Sequence, residues 1–168
     1  MFVAMPNKTT AADIMRRKLV TFSEETSVMD AVAALLKHRI SGAPVLDGEK
    51  RLLGLVSELD CTNHLVSALT NNEPVGYVVE VMTKNVKTVA PDATILTIAH
   101  HFNQMRVKRL PVVDADGQLV GQVSRVDLLE QLFEMVKPKG RGKAKPLYLS
   151  ALHDTTELPA KLDPDSTW

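Results

Sequence analysis

Two short stretches of the sequence carry residue types at a spacing that suits ligand chemistry. Residues 54–60 read GLVSELD and residues 121–127 read GQVSRVD. Each is predicted to be a strand that runs into a helix, where the first backbone N–H groups lack partners and attract anions. In both stretches a serine precedes an aspartate by three positions: Ser57 and Asp60, and Ser124 and Asp127.

This Ser-x-x-Asp spacing has two interpretations. A serine hydroxyl can donate or accept a hydrogen bond, and a carboxylate can accept two of them from the vicinal diol of a ribose. The same spacing is a variant of the capping box, in which the carboxylate reaches back to a backbone amide of its own helix start. A repeat would copy a cap as readily as a binding site, so the sequence leaves both interpretations open.

A second candidate surface comes just before two strands that begin near a Pro-Val pair. Residues 40–45 read ISGAPV and residues 107–112 read VKRLPV. Chain that enters a strand through proline leaves backbone groups unused by the ladder, and these can pair with the edge of a purine. Small residues permit close approach and basic residues can contact phosphate oxygens, although solvated basic side chains are the favoured alternative. The candidates are Ile40, Ser41, Gly42, Ala43, Pro44, Lys108, Arg109, Leu110 and Pro111.

Both candidate surfaces belong to an internal repeat. Sliding the sequence by 67 positions aligns residues 14–60 with 81–127 without a gap and with eleven identities, against about three expected from composition. Such a repeat predicts two supersecondary units, each unable to bury its apolar face alone. Thr21 and Thr88 match in the predicted opening strands and are secondary candidates for ligand contact, with filling of the core by a β-branched side chain as the favoured explanation.

Apolar periodicity predicts the same order of elements in both copies: strand, helix, strand, strand, helix. In the first copy a helical turn at 13–16 leads to a strand at 20–22, and Ser27 caps a helix whose apolar stripe runs from Val28 to Leu36. Proline is predicted to open both second strands, where its missing donor does least harm. These strands and the closing helices are predicted at 44–47, 111–114, 58–69 and 125–136.

The repeat divides the chain into five segments. They are an N-terminal extension at 1–11, the first repeat at 12–70, a linker at 71–77, the second repeat at 78–136 and a tail at 137–168. The tail opens with five basic residues in nine and continues with acids and prolines. Because it lacks interleaved aromatic residues, a solvated tail is favoured over one that contacts nucleic acid.

Composition limits the classes of function. Hydrophobic residues make up 45% of the chain and charged residues 24%, which is typical of a folded domain. Twenty basic residues balance twenty acidic ones, so no overall field draws the molecule to nucleic acid or to an anionic membrane. A single cysteine cannot form an intramolecular disulfide, and no stretch approaches the roughly 18 apolar residues of a membrane span. These features predict a cytoplasmic protein.

The sequence shows no spacing of residues that is typical of a catalytic or metal-binding site. Cys61 is predicted to be a buried, inert thiol, although the first turn of a helix could lower its pKa. His100 and His101 are adjacent, so they point in different directions on a helix and do not chelate together. No nucleophile with a base and no Walker loop is present in the sequence, so we predict neither an enzyme nor a metal site.

The two copies together resemble a tandem pair of CBS (cystathionine-β-synthase) domains, the Bateman module. The resemblance covers residues 12–136 and rests on x-Pro-Val at the second strand and Gly-x-x-Ser-x-x-Asp at the last corner, with Gly54 and Gly121 opening the motif. It implies an α/β (α+β) fold of two β-α-β-β-α repeats about a pseudo-two-fold axis, with helices on one face of small sheets. Members of this family bind adenine nucleotides or S-adenosylmethionine in clefts between the copies, regulate a partner rather than catalyse, need no cofactor, and usually form dimers through their helices.

The resemblance also implies how the candidate residues combine. Each cleft would join the serine-aspartate corner of one copy to the pre-strand segment of the other. Ser57 and Asp60 would then share a cleft with Lys108 and Arg109, which predicts the better phosphate site there, although Glu58 also lies in it. Ser124 and Asp127 would share the other cleft with residues 40–43, where Arg125 supplies the cation. The alternative function is a scaffolding module without a small-molecule ligand, in which the corners are only caps.

Overall fold

The computed structural model describes residues 9–105 and 107–137. Residues 1–8 of the predicted N-terminal extension and 138–168 of the predicted tail lie outside the described residues. The chain divides into two compact units, Met1–Met135 and Val136–Trp168, and the first of these contains both repeats except the last position of the second.

Six helices and five strands form within the described residues. The helices are α1 Ala11–Ile14, α2 Val28–His38, α3 Glu58–Asn71, α4 Val78–Val81, α5 Ile95–Met105 and α6 Arg125–Val136. The strands are β1 Phe22–Ser23, β2 Gly42–Leu46, β3 Leu52–Ser57, β4 Arg109–Val113 and β5 Leu119–Ser124. Strands β1, β2 and β3 form one small sheet and β4 and β5 form another, so the predicted mixed α/β class is confirmed.

The opening strands are shorter than predicted. In the first copy the strand is Phe22–Ser23 rather than 20–22, and in the second copy it shrinks to a single parallel bridge between Val89 and Val112. Phe22 and Val89 are buried whereas Thr21 is exposed. Strand pairing therefore coincides with the first buried apolar side chain of the predicted strand, Phe22, and core filling does not explain the exposed Thr21.

The prolines lie in the middle of their strands, which corrects the predicted start at proline. β2 begins at Gly42 and β4 at Arg109, two residues before Pro44 and Pro111. The carbonyl of Pro111 accepts a hydrogen bond from the Val89 amide at 3.0 Å. Because the nitrogen and carbonyl of a strand residue point to the same side, the proline nitrogen also faces away from β5. The missing donor therefore costs no bond in the β4–β5 ladder.

The helix of the first copy begins at the predicted cap but buries a narrower stripe. The Ser27 hydroxyl accepts a hydrogen bond from the Asp30 amide at 3.0 Å, which confirms it as the N-cap. Val28, Ala31 and Leu35 are buried, whereas Leu36 is 72% exposed and does not belong to the buried stripe. The core of this copy therefore buries these three residues of α2 almost completely, with Val32 partly buried against them.

The first helical turn of each repeat packs in the core of the other repeat. Ile14 and Met15, in and beside α1, pack against the buried cluster of α5, β4 and β5, and residues of α4 pack against that of α2, β2 and β3. The isolated bridges repeat this exchange with the 67-residue offset, pairing Thr10 with Thr94 and Ser27 with Tyr77, and Arg16 with Gln122 and Leu55 with Thr83. This reciprocity is the pseudo-two-fold relation of the two copies.

The exchange explains why glycine recurs in both closing strands. A Cβ at Gly54 would lie 2.7 Å from the Thr83 carbonyl oxygen and 2.8 Å from the Met82 sulfur, and one at Gly121 would collide with the Met15 side chain. In each repeat the glycine thus contacts the methionine of the other repeat. Gly54 and Gly121 open the motif that carries the resemblance, and in the structure each makes room for the exchanged segment of the other repeat, residues 77–85 beside Gly54 and residues 10–18 beside Gly121.

Candidate functional site

Two clefts lie between the repeats. The first, called the larger cleft, has a volume of about 600 Å³, and the second, the smaller cleft, about 350 Å³. The larger cleft is lined by Ser124, Arg125 and Asp127 together with Ile40, Ser41, Gly42 and Pro44. The smaller cleft is lined by Ser57 and Glu58 together with Ala43, Lys108 and Arg109. Each cleft therefore joins the corner of one repeat to the pre-strand segment of the other.

The clefts also share residues, which the sequence did not predict. Ser41, Gly42, Lys108, Arg109 and Gln122 line both of them. Arg109 and Gly42 occupy equivalent positions in the repeat, and the Arg109 Nη1 donates a hydrogen bond to the Gly42 carbonyl at 3.0 Å. The first residue of β4 thus contacts the first residue of β2, and this contact lies between the two clefts.

Several predicted site residues do not line either cleft. The side chains of Leu110 and Pro111 are fully buried, because β4 is covered on both of its faces. Leu19 and Val20 line the larger cleft instead of Thr21, and Thr88 is likewise absent from both linings. Asp60 also stays outside the smaller cleft, although Ser57 and Glu58 beside it line that cleft.

Both serine-aspartate corners form capping boxes. The Ser57 amide and hydroxyl donate to Asp60 Oδ2 at 2.8 and 2.6 Å, and the Asp60 amide donates to the Ser57 hydroxyl at 3.2 Å. The corresponding distances at Ser124 and Asp127 are 2.8, 2.6 and 3.1 Å. Both acids therefore cap their own helices. The space between the repeats nevertheless remains open, so both clefts have room for a ligand even though the two acids cap their helices.

The second corner has an additional partner from the exchanged segment. Arg16 Nε donates to Asp127 Oδ1 at 2.8 Å; the arginine side chain is 67% exposed and the aspartate side chain 6%. The residue equivalent to Arg16 is Thr83, which has no side chain long enough to do the same. Burial opposes ionisation of Asp127, but the hydrogen bonds from Ser124 and Arg16 outweigh it, so the pKa of this carboxyl lies below its ordinary value.

The acceptor capacity of the two carboxylates differs as a result. A carboxylate offers about four lone-pair positions. Asp60 uses two on Ser57, and its Oδ1 has no hydrogen-bond partner within residues 9–105 and 107–137. Asp127 uses two on Ser124 and one on Arg16. Asp127 therefore retains room for about one further donor, such as a single ligand hydroxyl.

Charge is concentrated in the larger cleft. Its lining contains five basic side chains and one acidic one, Asp127, whereas the smaller cleft has Lys108 and Arg109 against Glu58. This distribution runs against the prediction that the smaller cleft is the better phosphate site. The reason is that the exchanged segment brings Arg16 and Lys18 to the opposite repeat, a placement the repeat alignment does not show.

The remaining chemistry-bearing side chains lie apart from the clefts. Cys61 is buried, and desolvation, with a smaller effect of the Asp60 charge, raises the pKa of its thiol, which disfavours the reactive thiolate. The rings of His100 and His101 meet edge to face with centroids 6.1 Å apart. Among the described residues no three histidine, cysteine or acidic side chains are grouped to hold a metal ion.

Two segments of the chain match a known domain family. The CBS domain family matches residues 11–67 and 78–134. The chain belongs to the CBS domain family. The uncharacterized protein MJ1426 of Methanocaldococcus jannaschii is 31% identical, with the match covering 71% of this chain and 89% of that protein. The chain spans only 22% of the length of a further relative, the inosine-5'-monophosphate dehydrogenase of Aquifex aeolicus, which is 30% identical.

Solved CBS-domain structures share the fold. CBSX2 of Arabidopsis thaliana in complex with AMP superposes with a TM-score of 0.68 at 29% identity, covering 75% of this chain and 97% of that one. The CBS domain pair of MJ0100, in complex with 5'-methylthioadenosine and S-adenosyl-L-methionine, has a TM-score of 0.62 at 29% identity, covering 76% and 97%. In the part of this chain that the structure describes, no helix combines the length and apolar character of a membrane span.

Proposed function

We propose that this chain is a regulatory module that binds an adenosine-type ligand, an adenine nucleotide or S-adenosylmethionine, in the larger cleft. The observation that carries the proposal is the joining of Ser124 and Asp127 from one repeat to residues 40–42 of the other around an open volume of about 600 Å³. Structural neighbours crystallised with AMP and with methylthioadenosine support this ligand class. In this proposal the module itself catalyses no reaction.

The chemistry of the cleft suits a nucleoside. Asp127 retains an acceptor position for a sugar hydroxyl, and the apolar Leu19, Val20 and Ile40 line the same space. Apolar walls with a few placed polar groups are typical of small-molecule sites. The smaller cleft, with Ser57, Lys108 and Arg109, remains a proposed second site.

Regulation follows from the composition of the cleft. Because both repeats contribute to its walls, a ligand that contacts both distinguishes one arrangement of the repeats from another, and ligands shift only equilibria that they distinguish. We propose that the shift is passed to a partner protein and that the module acts as a homodimer. Exposed apolar residues at Leu59, Val66 and Leu69 of α3 and at Val126 and Leu129 of α6 support association through these helices.

The scaffolding alternative is favoured by one observation, the two capping boxes. If Asp127 only caps α6, its loss affects stability and not ligand binding. Asp60 provides the matched control, because it forms the same box in the other repeat without lining a cleft. The two roles are therefore separable with one substitution in each repeat.

The test is isothermal titration of AMP and of S-adenosylmethionine into the wild type, Asp127→Asn and Asp60→Asn. We expect Asp127→Asn to weaken binding by about 10-fold or more, since hydrogen bonds to charged groups contribute roughly 1.5–3 kcal/mol. Asp60→Asn should leave the affinity within about 3-fold while losing a similar cap contribution, about 1 kcal/mol. An affinity that is unchanged in Asp127→Asn would show that Asp127 only caps α6, and no heat from either ligand in the wild type would favour the scaffold.

A further inference from the structure

We propose that Arg16 selects phosphorylated ligands for the larger cleft, with Asp127 serving as its anchor. The inference rests on the proposed function, since it assigns the ligand chemistry of the same cleft. It states that the phosphate of a nucleotide is bound by the arginine of the exchanged segment, and that this arginine discriminates a nucleotide from its uncharged nucleoside.

The position of Arg16 is fixed at both its backbone and its side chain. Its amide donates to the Gln122 carbonyl at 2.9 Å and its carbonyl accepts from the Gln122 amide at 3.0 Å, so the residue is tied to β5. Its Nε donates to the buried Asp127. An arginine held in this way loses little further side-chain freedom when it binds a ligand.

The end of the guanidinium is available for an anion. Arg16 contacts Asp127 through Nε alone, and within the described part of the chain its two Nη groups have no hydrogen-bond partner. The two Nη groups form a planar fork that matches the oxygens of a phosphate. Arg16 lines the larger cleft, so its Nη groups are available to an anion there while its Nε is held by Asp127.

The surrounding charges favour the same ligand. Lys18, Lys108 and Arg125 also line the larger cleft, and no ion pair joins them to an acidic side chain in the described residues. A chain with no net charge has therefore placed an excess of positive charge in one cleft. Such a concentration attracts a phosphate group and disfavours a cationic ligand.

The test compares AMP with adenosine, which lacks the phosphate, and uses pyrophosphate as a phosphate-only competitor. The variants are Arg16→Thr, which installs the residue type of the equivalent Thr83, and Arg16→Gln, which keeps a neutral donor near Asp127. Arg17→Thr is the matched control, because Arg17 is the exposed neighbour and does not line the cleft. Thermal melts of each variant establish that it is folded.

We expect both Arg16 variants to weaken AMP about 10-fold or more while adenosine changes less than about 2-fold, and to abolish competition by pyrophosphate. Arg17→Thr should leave all three ligands unchanged. If the Arg16 variants weaken the binding of AMP and of adenosine by the same factor, the ratio of the two affinities is unchanged. The inference is then wrong, although the cleft still binds nucleosides. If neither AMP nor adenosine binds the wild type, the proposed function fails and the inference fails with it.

Discussion

Among single residues, the two serine-aspartate corners share one local geometry but have different surroundings. Both carboxylates cap their helices with nearly the same distances. Only Asp127 is almost fully buried, lines a cleft and bonds to an arginine from the other repeat. The arginine bond arises from position 16, where the first repeat has arginine and the second has threonine at position 83.

The buried Asp127 predicts a pH dependence of stability. Its pKa is lowered in the folded state, so its ionised form stabilises the fold above the unfolded-state pKa and this contribution is lost as pH falls below about 4. Asp127→Asn should therefore lower the melting temperature at neutral pH and flatten its decline between about pH 5 and pH 3. Thermal melts across this range measure it, with the exposed Asp92→Asn as control. A decline as steep as that of the wild type would show that Asp127 does not titrate in this way.

At the scale of elements, the exchanged first turns determine how the two repeats pack. The predicted order of strand, helix, strand, strand, helix is confirmed in the first repeat, and hydrophobic periodicity was sufficient to predict it. The exchange itself was not predictable, because periodicity shows which face of an element is apolar and not which core receives it. The only signal in the sequence was the joint identity of Met15 with Met82 and of Gly54 with Gly121.

This packing predicts a ranking of glycine substitutions. Gly54→Ala should destabilise the protein by about 1–3 kcal/mol, because its Cβ would approach a backbone carbonyl that has little freedom to move. Gly121→Ala should cost less, since its nearest neighbour is the flexible Met15 side chain. Gly48→Ala, which would meet nothing within 4 Å, is the control and should change stability by less than about 0.5 kcal/mol. Urea denaturation provides the values, and equal costs at positions 48 and 54 would contradict the packing.

At the scale of the whole molecule, the sequence predicted which segments meet better than it predicted the chemistry of each cleft. The repeat and its resemblance placed each corner beside the other copy's pre-strand segment, and the structure puts these segments in common clefts. The charge of the larger cleft was missed because Arg16 and Lys18 lie far from Asp127 in the chain. Whether Ser57, Lys108 and Arg109 bind a second ligand stays a prediction.

The exposed helix faces predict the oligomeric state. Leu69 is 84% exposed on α3 and Leu129 66% exposed on α6, and burying such side chains between two copies is favourable by roughly 1.5–3 kcal/mol each. Sedimentation equilibrium should show a dimer for the wild type and a monomer for the Leu69→Asp/Leu129→Asp double variant with unchanged circular dichroism. The exposed Lys37→Asp on α2 is the control for added negative charge and should remain dimeric. A monomeric wild type would contradict the proposed homodimer.

Binding of a nucleotide in the larger cleft is located by titrating AMP into ¹⁵N-labelled protein and following the amide signals. We predict saturable amide shifts at Ser41 and Gly42 in one repeat and at Ser124 and Asp127 in the other, since the ligand would contact both walls of the larger cleft. If saturating AMP leaves these amide signals unchanged, or shifts only amides remote from the cleft, AMP does not bind in the larger cleft.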